Sequence, residues 1–172
     1  MAKRITLAKI SRPRLCGVVP RERLFVLLEA ATVRPLVWIS GPPGAGKTSL
    51  VASYLAERDI PGLWYQLDPG DADPATLFHY LALAAHAAQP ESADPLPRYA
   101  PEHSTDLRQF ARLYFRALLA RLPERAVLVL DNYQEVAEQS EFQAVLEEGL
   151  AEVPEGVNVV IASRGEPPPR EW

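Results

Sequence analysis

The stretch Ile39–Val51, "ISGPPGAGKTSLV", decides how this sequence is read. Glycines and prolines crowd into a short run that passes at once into helix-favouring residues. Gly41 to Thr48 fits the pattern G-x-x-x-x-G-K-[ST], the P-loop. The spacing has a chemical reason. A polyphosphate needs donors from several sides, and glycines let the backbone curl until successive N–H groups point inward as an anion nest. Gly41 opens the loop. Pro42 and Pro43 have no N–H, so the cradle must come from Gly44, Ala45, Gly46, Lys47, Thr48 and Ser49. The following helix offers the positive end of its dipole. Lys47 is expected to reach the β- and γ-phosphates, and the Thr48 hydroxyl to ligate Mg2+.

The flanks agree with that reading. "VRPLVWIS", Val33–Ser40, is apolar, β-rich and bounded by turn signals, so it predicts a short buried strand. Lys47–Arg58 predicts a helix with Leu50, Val51, Tyr54 and Leu55 on one face. "GLWYQLD", Gly62–Asp68, is a second strand ending in a turn cluster. Asp73 before Pro74 is an N-cap followed by a first-turn proline, opening a helix to about Ala88. Residues 89–104 are rich in proline and polar groups and predict a mobile loop. Thr105 opens the clearest helix, whose stripe from Leu107 to Leu122 is expected to face the sheet. Ala126–Leu130 is a continuous apolar run, typical of a strand covered on both faces. Ser140 with Gln143 makes a capping-box pattern ahead of a further helix. Val157–Ser163 is a fourth strand. Strands alternate with helices, so the fold class is α/β with a mostly parallel sheet.

Two strand ends add to the site. Asp131 closes the third strand, where a P-loop protein keeps its Walker B carboxylate for Mg2+. Ser163 and Arg164 close the fourth strand at the same end of the sheet, and Arg164 could sense a γ-phosphate. Lysine is scarce: only Lys3, Lys9 and Lys47 occur. A chain that almost avoids lysine has still placed one in the glycine-rich turn.

The composition is that of a globular domain. The 172 residues are 48% hydrophobic and 23% charged, with a net charge of −4, which gives no broad basic footprint for nucleic acid. One cysteine, Cys16, cannot build an internal disulfide or a cysteine-rich metal site, and it fits a cytoplasmic location. The basic N-terminus leads into no apolar stretch of signal-peptide type, and no run approaches a membrane span. His79, His86 and His103 form no metal-ligand spacing with a cysteine pair. His79 and His86 share one helix face.

Taken together, several segments resemble the nucleotide-binding domain of the STAND ATPases, in the MalT-like branch of the large LuxR-type bacterial activators. "KISRPRL" and "VVPRERLFVLL" are similar to the family's N-terminal lead-in. "WISGPPGAGKTSLVASYL", "GLWYQLDPGDADPATLFHYLALAA", "LVLDNYQEV" and "NVVIASRGEPP" follow in the family's order, so the likeness runs from about Lys9 to Pro169. It implies a three-layer P-loop NTPase sandwich with AAA-like strand order. Residues 1–32 would contribute to the adenine pocket and 33–172 would form the core. It implies a switch that is ADP-bound at rest and ATP-bound and self-associated when active. Val18, Val19 and Arg21 would lie near adenine and ribose, and Arg164 would read the γ-phosphate.

Two departures qualify the implication. Position 132 is Asn where many relatives carry a second acid. An amide orients water but is a poor base, so hydrolysis is expected to be slow or absent. The family also continues through a fifth core strand and further sensor and DNA-binding domains. The expectation is therefore a partial core that leaves the Val33–Ser40 strand as an open edge. Other readings stay open. A small-molecule kinase uses the same loop, but the proline-rich segment carries only Arg98 where such kinases have an arginine-rich lid. A non-catalytic nucleotide-binding module is compatible with Asn132. No N-K-x-D guanine-reading motif occurs, and direct DNA binding by this segment is not expected.

Overall fold

The computed structural model describes residues 7–90 and 95–168. Residues 1–6, 91–94 and 169–172 lie outside them, and with them the ends of the expected lead-in and part of the expected loop 89–104.

The described chain forms α1 (Glu22–Ala31), β1 (Leu36–Ser40), α2 (Lys47–Glu57), β2 (Gly62–Gln66), α3 (Pro74–Ala88), α4 (Leu107–Leu119), β3 (Val127–Asp131), α5 (Ser140–Leu150) and β4 (Asn158–Ser163). The four strands pair in the order β1-β4-β3-β2, all parallel. Each strand therefore needs a helical crossover to the next.

Strand alternation sends side chains to two cores. Leu63, Tyr65, Leu128, Leu130, Val159 and Ile161 face α3, α4 and α5. Val37, Trp64, Val127, Val129 and Val160 face α1 and α2. Trp64 and Tyr65 are both buried, one on each face. Covered on both sides, β3 is buried along its whole length, as its unbroken apolar sequence requires.

Several boundaries move for local reasons. β1 begins at Leu36 and not Val33; Val33 is exposed and Pro35 has no N–H to give a ladder. α4 begins after a 3-10 turn, Pro101–Asp106, so its cap is Asp106 and not Thr105. The Asp106 carboxylate accepts from the Gln109 N–H at 3.1 Å. α5 has Gln139 at its N-cap, with no side-chain cap hydrogen bond there; the Ser140 half of the predicted Ser140–Gln143 capping box lies outside the described side chains. The Gln143 amide instead donates back to the Ala137 carbonyl. The described part of the segment 89–104 is more than a bare loop: Tyr99 stacks on Phe78, with centroids 5.5 Å apart. The expected clean cap at Asp73 is present, accepting from the Thr76 N–H at 3.0 Å.

The lead-in is fastened to the body. Lys9 reaches Asp68 and Asp71 at 2.5 and 2.7 Å. Its ammonium also lies over the Tyr65 and Tyr80 rings. Asp71 is 1% exposed and accepts from the Tyr65 hydroxyl at 2.6 Å. Burial and the adjacent Asp71 carboxylate hold the Tyr65 phenol far above its ordinary range. On the other face of the sheet Phe25 of α1 meets Tyr54 of α2.

Candidate nucleotide-binding site

The site is built where β1 gives way to α2. Gly44 and Gly46 take φ of 80° and 77°, a left-handed conformation that L side chains resist. Gly46 is the residue before α2, so the N–H groups of Lys47, Thr48 and Ser49 belong to a first helical turn that has no intrahelical acceptors. The Ala45 N–H is turned back onto the Pro42 carbonyl at 3.2 Å. The Lys47 ammonium sits on the Gly41 and Pro42 carbonyls at 2.6 and 3.2 Å, at the mouth of its own loop.

Across the fold, the Thr48 hydroxyl donates to Asp131 Oδ2 at 2.8 Å. Asp131 ends β3 and is 3% exposed. Burial pushes its carboxyl above the ordinary range, while the Thr48 hydroxyl, the Asn132 N–H at 3.0 Å and Lys47 pull the other way. Asn132 has φ 62° and ψ 39°, a left-handed position that asparagine tolerates better than most residues.

β4 lies beside β1, with Ser163 opposite Ser40. Arg164 therefore starts next to the beginning of the P-loop. Its side chain is exposed, and its N–H donates to Gln134 Oε1 at 3.1 Å. Gln134 also donates to Glu135 at 3.1 Å. The Ser40 hydroxyl donates to Glu166 at 3.1 Å, and the Trp38 indole N–H to the Gly165 carbonyl at 3.1 Å. Trp38 is half-buried and packs against the core from its margin.

Arg21 comes to the loop from outside it. Its guanidinium donates to the Ala45 and Gly46 carbonyls at 3.2 and 2.7 Å. A Cβ on Gly46 would meet Arg21 Nη2 at 2.6 Å, so Gly46 is required for this approach as well as for its φ. Sequence reasoning placed Arg21 beside a nucleotide but missed this contact, because its partners are backbone carbonyls with no residue signature. Val18 is half-buried and Val19 is 78% exposed. The donor set suits a magnesium–polyphosphate. One buried carboxylate and one hydroxyl meet at the loop, as in sites where phosphates and water complete the Mg2+ shell. Among the described residues no group of three or more His, Cys, Asp or Glu could hold a metal by itself.

A parallel α/β sheet that sets the glycine-rich loop after β1 against the aspartate ending β3, two strands along, is a P-loop ATPase domain. The AAA ATPase domain model matches residues 20–161, and the chain belongs to that family. It is similar to the HTH-type transcriptional regulator MalT of Vibrio cholerae, 30% identical over 167 residues, and to that of Cronobacter sakazakii, 34% identical over 167. These matches cover 94% and 93% of this chain but 18% of each relative. The chain thus spans under a fifth of the length of these curated relatives, and the MalT-like resemblance of its segments holds. Membership implies nucleotide binding, usually with Mg2+. No helix among the described residues is long and apolar enough to cross a membrane.

Proposed function

We propose that this chain is an ATP/ADP-binding switch domain of a bacterial transcriptional regulator, with slow or absent hydrolysis. The observation that carries this reading is the Thr48–Asp131 hydrogen bond of 2.8 Å. It joins two groups far apart in sequence at the point where a P-loop protein shares Mg2+. Bound there, Mg2+ would supply charge neutralisation for the β- and γ-phosphates.

The roles follow from chemistry. Gly41 to Gly46 shape the cradle, and the N–H groups of Gly44, Gly46, Lys47, Thr48 and Ser49 would face the phosphates; the expected Ala45 N–H drops out of this set because the Pro42 carbonyl holds it. Lys47 leaves the carbonyls of Gly41 and Pro42 for the β- and γ-oxygens. Residues 1–32 form one wall, with Val18, Val19 and Arg21 toward adenine and ribose, and residues 33–172 form the core. Arg164 senses the γ-phosphate. Asn132 orients water without accepting its proton, which favours holding the nucleotide over splitting it. That same residue supports a second reading, a purely structural nucleotide-binding module. Further domains of a longer chain, or self-association in the ATP state, would transmit the signal, and the location is cytoplasmic.

Calorimetric titration with ADP, ATP and GTP, each with Mg2+, tests the proposal. Adenine-selective binding with little turnover is expected. Equal affinity for GTP, or turnover at the rate of an ordinary ATPase, would overturn it. Indifference to the γ-phosphate would leave the structural-module reading in its place.

A further inference from the structure

A second cleft lies between α3 and residues 95–99, away from the P-loop. Its volume is about 580 Å3, within the range of small-molecule sites. His79 and His86 of α3 line it, with Arg98 and, just past α4, Arg121. Phe78 and the stacked Tyr99 give it an aromatic wall. No aspartate or glutamate stands among its described lining residues. Asp73, at the head of α3, is occupied with the N–H groups of Ala75 and Thr76 and the Thr76 hydroxyl.

Arg121 sets this cleft apart. Its Nη2 is buried, and no described group accepts a hydrogen bond from it. A buried donor left empty is costly. The contrast lies on the preceding helix. Arg108, Arg112 and Arg116 of α4 are more exposed, yet each meets a glutamate of α5: Glu147, Glu148 or Glu152. Arg121, one of two arginines lining the cleft, meets no acid among the described residues. Nη2 itself is sealed from solvent, so a phosphate or carboxylate in the cleft would form charge-assisted hydrogen bonds with the part of Arg121 that lines it.

We propose that this cleft binds an anionic small molecule, a phosphate- or carboxylate-bearing metabolite whose oxyanion sits on Arg121 within reach of His79 and His86. The site is separate from the P-loop and stands whether or not the nucleotide reading does.

The chain's three histidines supply the probe. Inorganic phosphate, and separately citrate, are titrated into labelled protein at fixed pH and ionic strength while imidazole resonances are followed. Saturable shifts at His79 and His86 are expected. His103 serves as the reference, since its Nδ1 accepts the Ala100 N–H at 2.9 Å and it does not line the cleft. Phosphate taken up only by the P-loop leaves both cleft histidines unmoved. A response to phosphate alone assigns a phosphorylated ligand, and a response to citrate alone a carboxylate. Arg121→Met should weaken the response about tenfold or more, the effect of losing a charged hydrogen bond, without lowering the ligand-free melting temperature. Arg121→Lys, which keeps the charge but not the fork, covers the case in which Arg121→Met does not fold, and should also bind more weakly. No saturable shift with either anion, or an undiminished response in the Arg121 variants, overturns the proposal.

Discussion

Lys47 is held by two carbonyls of its own loop, and neither bond contributes to the core. Lys47→Ala is therefore expected to abolish nucleotide binding while leaving circular dichroism and the melting transition close to wild type. Retained affinity would remove the P-loop assignment. Asp131 makes a pH prediction. Burial raises its pKa, so the fold favours the protonated form. Its contribution to stability is complete below the unfolded carboxylate value of about 4 and is lost as pH rises through the raised value. Mg2+ bound there would take the ionised form and work against that loss. Without nucleotide, Asp131→Asn should raise the melting temperature at neutral pH; with Mg–ATP the wild type should regain the advantage. A lower melting temperature for the ligand-free variant would show that the charge is better satisfied than the Thr48 and Asn132 bonds suggest. The P-loop was legible because its parts are contiguous, and Asp131 because a strand-end acid has few other reasons to be there. Lys9 was legible in principle. The scarcity of lysine that drew attention to Lys47 applied equally to Lys9, whose partners Asp68 and Asp71 stand in a turn cluster read only as a turn.

At the scale of elements, α4 and α5 show what sequence periodicity can and cannot give. The apolar stripe of α4 faced the sheet as expected, because a wide hydrophobic face has no other place to go. Its start was misplaced because the 3-10 turn from Pro101 absorbs Thr105 before a true cap appears at Asp106. Gly149 inside α5 carried no signal beyond a low helix propensity. A Cβ there would meet Cγ and Cδ2 of Phe115 at 2.7 and 2.8 Å, so the glycine lets the two helices approach. Gly149→Ala gains helix propensity yet should destabilise the fold by about 1–3 kcal/mol through overpacking. Urea denaturation checks this; a stabilised variant would mean the Phe115 ring moves aside freely. The arginine–glutamate ladder across the same two helices is largely exposed on its arginine side and should fade with added salt.

For the whole molecule, β1 carries the P-loop and is also the last strand of the described sheet. Among the described residues no strand pairs with its outer side, the arrangement that promotes strand pairing between chains. The isolated chain is expected to self-associate as concentration rises, and a strictly monomeric sedimentation profile would show that the edge is protected. The strap across the molecule gives a second prediction. Lys9→Met leaves Asp71 buried without its cation and should cost about 3 kcal/mol or more. Lys9→Met combined with Asp71→Asn should recover part of that loss. Thermal melts of both variants decide it, and additive losses would break the pairing.

That strap has two anchors, Lys9 at the β2 side and Arg21 on the loop beside β1, with Leu15 packed against the core between them. Two grips on one short tether keep each other in place, since each holds the other at high effective concentration. Loosening Lys9 should thus lower the time Arg21 spends on Gly46 and relax a glycine-rich loop on the far side of the sheet. A proteolytic cut before residue 9 spares this arrangement. A cut between 9 and 21 turns a fastened segment into a free end.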